Sequence, residues 1–189
     1  MTRQINERDI ALKKAIDRNN FIIIGLFTIH LVPTVAFYLD GNGEWKWFLI
    51  ILTISLIFCK IPNSIIDKIQ LSKRTTFYKK LKVHLFKKYA TNGDIINKNI
   101  RRQFPNHRNI HNPLSIQKKL TETYTTEKAH LFFFIFSFLT SIYAFNTDHL
   151  IQAGVITVGN IVLNLYPIFL QQYNRIRYTK ALASQNKNL

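Results

Sequence analysis

The residues best able to do chemistry lie between Glu122 and Arg177. The approach ETYTTEKAH brings Glu122, Glu127 and His130 to the start of an apolar run. Glu127 and His130 are three residues apart, about 60° around a helix, so they share a face; Glu122, about 140° from Glu127, faces a different partner. An acid beside a histidine at the mouth of an apolar helix suits general base catalysis. The carboxylate orients the imidazole and raises its basicity, leaving the other ring nitrogen to take a proton from a hydroxyl. The same pair also fits a buried ion pair or an interfacial anchor.

The returning helix, ending NLYPIFLQQYNRIR, supplies the second set. Asn160, Asn164, Pro167, Gln171 and Asn174 step by four, three, four and three residues, so on a regular helix they stay within about 80° of one another. Hydrocarbon offers amides no partners, so this stripe has to face protein, water or a ligand.

The elements that must position these groups are apolar blocks. Phe21 to Leu39, Ala129 to Phe145 and Leu150 to Leu170 carry no Asp, Glu, Lys or Arg, and Trp47 to Cys59 is apolar apart from Thr53 and Ser55. About 20 residues span a bilayer core, so the pattern predicts an all-α polytopic membrane protein with four transmembrane helices; the second reaches full length only with Trp45 and Lys60 as interfacial anchors. Between Lys60 and Lys128 lie 16 of the 26 basic residues against four acids, a surplus of twelve. The positive-inside rule then puts both termini and this basic helical region, between the second and third spans, on the cytoplasmic side of a cell membrane. The expected organisation is a segment 1–20, a hairpin 21–61, a basic interfacial region 62–128, a second hairpin 129–173 and a tail 174–189.

Within the basic region, IIDKIQLSKRTTFYKKLKVHLFKKY mixes Ile, Leu, Phe and Tyr with many cations, as do basic helices lying along a membrane, and TNGD ends it. The cations are therefore assigned to anionic lipid headgroups, with no nucleic-acid partner expected. Residues 97–115 read as a loop. Arg102 and His107 match an R-x4-H spacing of some ribonucleases, but Pro105 between them disfavours the helix that pair requires. His107 and His111 have no acid or Cys nearby to complete a ligand set, and the lone Cys59 allows no disulfide, so no metal is expected. In the first block Pro33 predicts a kink, and His30 reads either as a functional buried histidine or as a ring satisfied by a backbone carbonyl that Pro33 frees.

Taken in order, E-T-x4-E-x-A-H, an apolar span, a short turn and N-x2-P-I-x2-Q-x-Y-N-R-x-R resemble the glycosyl-4,4'-diaponeurosporenoate acyltransferase family. The similarity extends upstream into FYKKLKVHLFKKYATNGDIINKN and covers roughly residues 60–182. Gln172 and Ile176 depart from it, where a basic residue and a proline are usual; these departures bear on the particular carotenoid rather than on the core motif.

This resemblance implies transfer of a fatty acyl group to a sugar hydroxyl of a glycosylated carotenoid or similar membrane glycolipid. It implies acyl-CoA or another acyl thioester as donor and no permanently bound cofactor. Glu122, Glu127 and His130 match on the approach helix, with His130 as base and Glu127 as its orienter. Asn164, Gln171, Tyr173, Asn174, Arg175 and Arg177 match on the exit helix as substrate-binding groups for oxyanion, sugar or donor phosphates. The competing class is a non-enzymatic accessory subunit, scaffold or oligomeric pore, in which the amides join helices within a homo-oligomer.

Overall fold

The computed structural model describes residues 2–87, 94–105 and 113–186, and among them every regular element is a helix. Helix α1 (Thr2–Leu39) turns through Asp40 to Glu44 into α2 (Trp45–Cys59). Gly41 takes the left-handed φ of 75° that this turn requires. Gly43 lies so close under Phe37 and Tyr38 that a Cβ would sit 2.7 Å from each ring. Pro62 then breaks the chain, and α3 (Asn63–Ile69) leaves α2 at 99°. Three short helices follow: α4 (Thr75–Lys80), α5 (Val83–Lys87) and α6 (Asp94–Gln103).

The long helix α7 (Pro113–Asn146) begins on a proline, whose missing N–H costs nothing at a first turn. After a turn at which Asp148 adopts φ 62°, α8 (Leu150–Asn160) returns the chain. A π-helical segment, Ile161–Leu165, joins α8 directly to α9 (Tyr166–Asn186). Helix α7 is central, packing against α8, α9 and α2. Phe37, Tyr38, Ala144 and Ala153 form one buried cluster at the turn end; Tyr78, Val83, Leu170, Tyr173 and Ile176 form another, where α4 and α5 meet α9.

Pro113–Asn146 and Leu150–Gln185 are long and apolar enough to cross a membrane, and the bent pair of α2 and α3 makes a third if it acts as one span. The apolar part of α1, Ile24–Leu39, is shorter than a full span. Two or three apolar helices thus stand in place of the four expected, an arrangement compatible with a membrane protein. Ile29, Val32, Ile57, Ile151, Val155 and Val158 remain exposed, as side chains facing lipid would be.

Other expectations changed in detail. The basic stretch forms three short helices because Pro62 starts the first, the irregular segment 70–74, extended at Gln70 and Arg74, separates the second, and Lys82, at φ 57°, interrupts before the third. The expected loop 97–115 is helical as far as Gln103. Thr91 to Gly93 of the expected turn, His107 and His111 lie outside the described residues.

Pro167 has a local cause-and-effect relation with the π segment. Proline donates no N–H to the carbonyl four residues back, here Leu163, and the ladder relaxes into a wider turn at that place. One additional residue in the turn rotates everything beyond it by about 100°. The inward face therefore continues from Asn160 and Asn164 to Ile168, Gln172 and Arg175, all buried, whereas Gln171 and Asn174 are only half-buried.

Candidate functional site

Two buried polar clusters occupy successive turns of α7. The first centres on Glu127, 1% exposed. Arg175 Nη1 donates to its Oε2 at 2.5 Å and Gln172 Nε2 to its Oε1 at 2.7 Å. The remaining Arg175 donors turn to the C-terminal end of α3: Nε and Nη2 reach Gln70 Oε1 at 3.3 and 3.2 Å, and Nε lies 3.3 Å from Asp67 Oδ1. The guanidinium stacks 4.5 Å above the Tyr124 ring, and the Tyr124 hydroxyl donates to Asp67. Gln172 Oε1 accepts from the Tyr78 hydroxyl at 2.9 Å and from Leu71 N at 3.3 Å. Burial holds the Tyr78 phenol above its ordinary value.

One turn further along α7, the second cluster is neutral. His130, half-buried, places Nδ1 3.5 Å from Asn164 Oδ1, with the Leu163 carbonyl beside the ring. Asn164 Nδ2 donates to Asn160 Oδ1 at 2.8 Å and reaches His30 Nε2 at 3.3 Å. Asn160 Nδ2 donates in turn to the Phe134 carbonyl at 3.0 Å. His30, on α1, also lies 3.1 Å from Ser137 Oγ, and its Nδ1 is buried without a partner. Gly159 lets the ring approach, because a Cβ there would overlap it. Phe27 packs edge-on against both histidines.

This geometry separates groups that the sequence paired. Among the described residues no hydrogen bond joins Glu127 to His130; Glu127 is held by Arg175 and Gln172, and His130 by Asn164. Glu122 is exposed, bonds Lys119 at 2.6 Å, and lines an open surface depression with Lys118, Thr121, Thr125 and Thr126. Tyr173 is buried in the α4, α5 and α9 cluster, with exposed Arg177 5.5 Å over its ring. Gln171 is half-buried, and Asn174 keeps a buried Oδ1 without a hydrogen bond. Among the described residues no group of three or more His, Cys, Asp or Glu could hold a metal.

Sequence reasoning left His30 open between a functional role and a backbone-satisfied ring, and it missed Gln172, Asp67, Gln70 and Tyr78. Pro33 pointed toward a backbone partner for His30, yet the ring meets Ser137 and Asn164 while Thr34 bonds the His30 carbonyl at 3.4 Å.

A family model described as glycosyl-4,4'-diaponeurosporenoate acyltransferase matches residues 62–184. Most of the chain lies within that match, and the chain belongs to this family. Neither a curated protein nor a solved structure matches it.

Proposed function

From that membership, which makes the chain an acyltransferase of carotenoid biosynthesis, we propose that it moves a fatty acyl group from an acyl thioester to a sugar hydroxyl of a glycosylated carotenoid at the membrane, with His130 as general base. The observation that carries the assignment is the position of His130. It is a half-buried imidazole on an apolar helix, held by an amide at Nδ1 beside the irregular turn of its neighbour. In the step, His130 takes the proton of the sugar hydroxyl while the oxygen attacks the thioester carbonyl. The carbon–sulfur bond then breaks, and the leaving thiolate takes that proton from His130, which returns to its neutral form. A thioester needs little driving force, so a positioned base and nearby donors suffice. Arg177, exposed on α9, is a cation open to donor phosphates, whereas Arg175 is enclosed by protein groups.

Fully paired amides between helices also suit a scaffold or pore, since such groups join spans without any chemistry. Lipid and pigment profiling separates the two. In a deletion strain of the natural host, the wild-type gene should restore acylated glycolipid, and His130→Gln, inserted at the same level, should accumulate the unacylated glycoside instead. Full acylation by His130→Gln would remove the base assignment. An unchanged lipid profile on deletion would favour the scaffold.

A further inference from the structure

We propose that Asn160 is a positioning residue which, through Asn164, fixes the nitrogen of His130 that carries the proton, with His30 of α1 holding Asn164 from its other side. This deepens the reading of His130 as base and rests on it. The starting point is the Phe134 carbonyl, a group that can only accept. It lies 3.0 Å from Asn160, so the atom facing it is the amide nitrogen, and Asn160 must turn its oxygen to Asn164. The Asn164 atom 2.8 Å away is then its own nitrogen, which leaves Asn164 Oδ1 to face His130. An amide oxygen only accepts, so His130 Nδ1 bears the hydrogen and Nε2 keeps the lone pair. The Leu163 carbonyl beside the ring also only accepts, so it and the amide chain act together on the proton, and the orientation of Asn164 assigns the hydrogen to Nδ1 and leaves Nε2 as the basic atom.

His30 closes the arrangement. Asn164 has a second N–H, and His30 Nε2 lies 3.3 Å from that nitrogen, so the buried amide has no unpaired donor to drive it to flip. His30 lies outside the family match, at residues 62–184, and neither it nor Asn160 touches the reacting atoms in this scheme. The direction of the amide links is set at one end by the Phe134 carbonyl, which cannot reverse, while His30 completes the chain as an acceptor in the tautomer that carries its hydrogen on Nδ1.

Nitrogen NMR of the full chain, labelled with 15N-histidine in detergent micelles, tests this directly. At about pH 9, above the ordinary imidazole pKa, His130 is neutral, and its signals are identified by their loss in His130→Gln. The expected wild-type spectrum has the proton on Nδ1. Asn160→Leu and Asn164→Leu should each yield a mixture of tautomers, with kcat down about tenfold or more and KM unchanged, because wrong-tautomer molecules bind but do not react. His30→Phe should shift the mixture less. A wild-type proton on Nε2, or an Nδ1 population unmoved in whichever leucine variant folds, overturns the inference. Its failure is distinct from that of the base reading: full acylation by His130→Gln would sink the latter, whereas the spectrum reports on the amide chain in either event.

Discussion

The two polar clusters of α7 lie one turn apart and are built on opposite principles. Around Glu127 the groups are charged, and Arg175 of α9 gathers them from α7 and from the C-terminal end of α3. Around His130 they are neutral, and Asn164 gathers them from α7, α8 and α1. A buried charge without its partner costs several kcal/mol, so a charged cluster survives only when nearly every donor and acceptor is occupied. Such a cluster fastens elements together and leaves nothing over for a ligand. An amide and imidazole chain is cheaper to disturb, so it can keep one ring half-buried with a nitrogen to spare. Fastening and chemistry are thereby divided between adjacent turns of one helix.

The most severe way to break this division is Arg175→Met. It leaves Glu127 ionisable, buried and held only by Gln172, at a cost of roughly 3–5 kcal/mol. Thermal unfolding of the detergent-solubilised protein should show a large drop in midpoint, and pairing the change with Glu127→Leu should restore most of it. An Arg175→Met protein as stable as wild type would mean that the charged cluster fastens nothing.

The same contrast explains what could be read from the sequence. Apolar blocks without charge announced α2, α7 and α8, and the turn from Asn146 to His149 falls where the block boundaries put it. Glu127, His130, Asn160 and Asn164 were legible as inward residues because they precede or enter the irregular turn, where regular helical spacing still holds. Beyond it the stripe was misread by one residue, giving Gln171 and Asn174 in place of Gln172 and Arg175 as the inward pair. Pro167 was visible as part of the stripe, but whether a proline kinks, ends or widens a helix depends on what packs against it. The pairing of Glu127 with His130 failed for a related reason. Shared face predicts neighbourhood, but a stronger partner from another element takes the contact. Arg175 is such a partner: as part of the exit-helix motif it was legible as a site residue, and antiparallel spans put it near Glu127, but spacing within α7 does not single it out over His130.

Gly159→Ala probes the neutral cluster with a smaller stability effect. The new methyl overlaps the His30 ring, which is enclosed and has to shift, so overpacking costs about 1–3 kcal/mol. The comparison sharpens if acyl transfer falls further than this loss of stability explains, measured as turnover per folded molecule at a temperature where both proteins are folded. Equal turnover per folded molecule would show that the placement of His30 does not matter to the site.

Tyr78→Phe should give the smallest effect, and it tests the charged cluster at its edge. The Tyr78 hydroxyl donates to Gln172 Oε1 and accepts from Ser72 N at 3.1 Å, so its removal unpairs a backbone donor and weakens the support of Gln172 at a cost of roughly 1 kcal/mol. Its dependence on pH has a definite sign. Burial raises the phenol pKa above the ordinary value of 10.0, so on raising the pH the unfolded chain releases this proton before the folded one does. The stability that the protonated hydroxyl contributes is complete below about pH 10 and drains away as the pH rises through the folded value. Wild type should therefore lose stability more steeply than Tyr78→Phe above that pH, while the two run parallel below it. Denaturation midpoints at matched pH give the comparison, and the difference between the slopes isolates Tyr78 from the other groups that titrate there. Parallel curves throughout would mean that the phenol is not held in its neutral form, and that the link from α4 through Gln172 to Glu127 contributes nothing to the fastening.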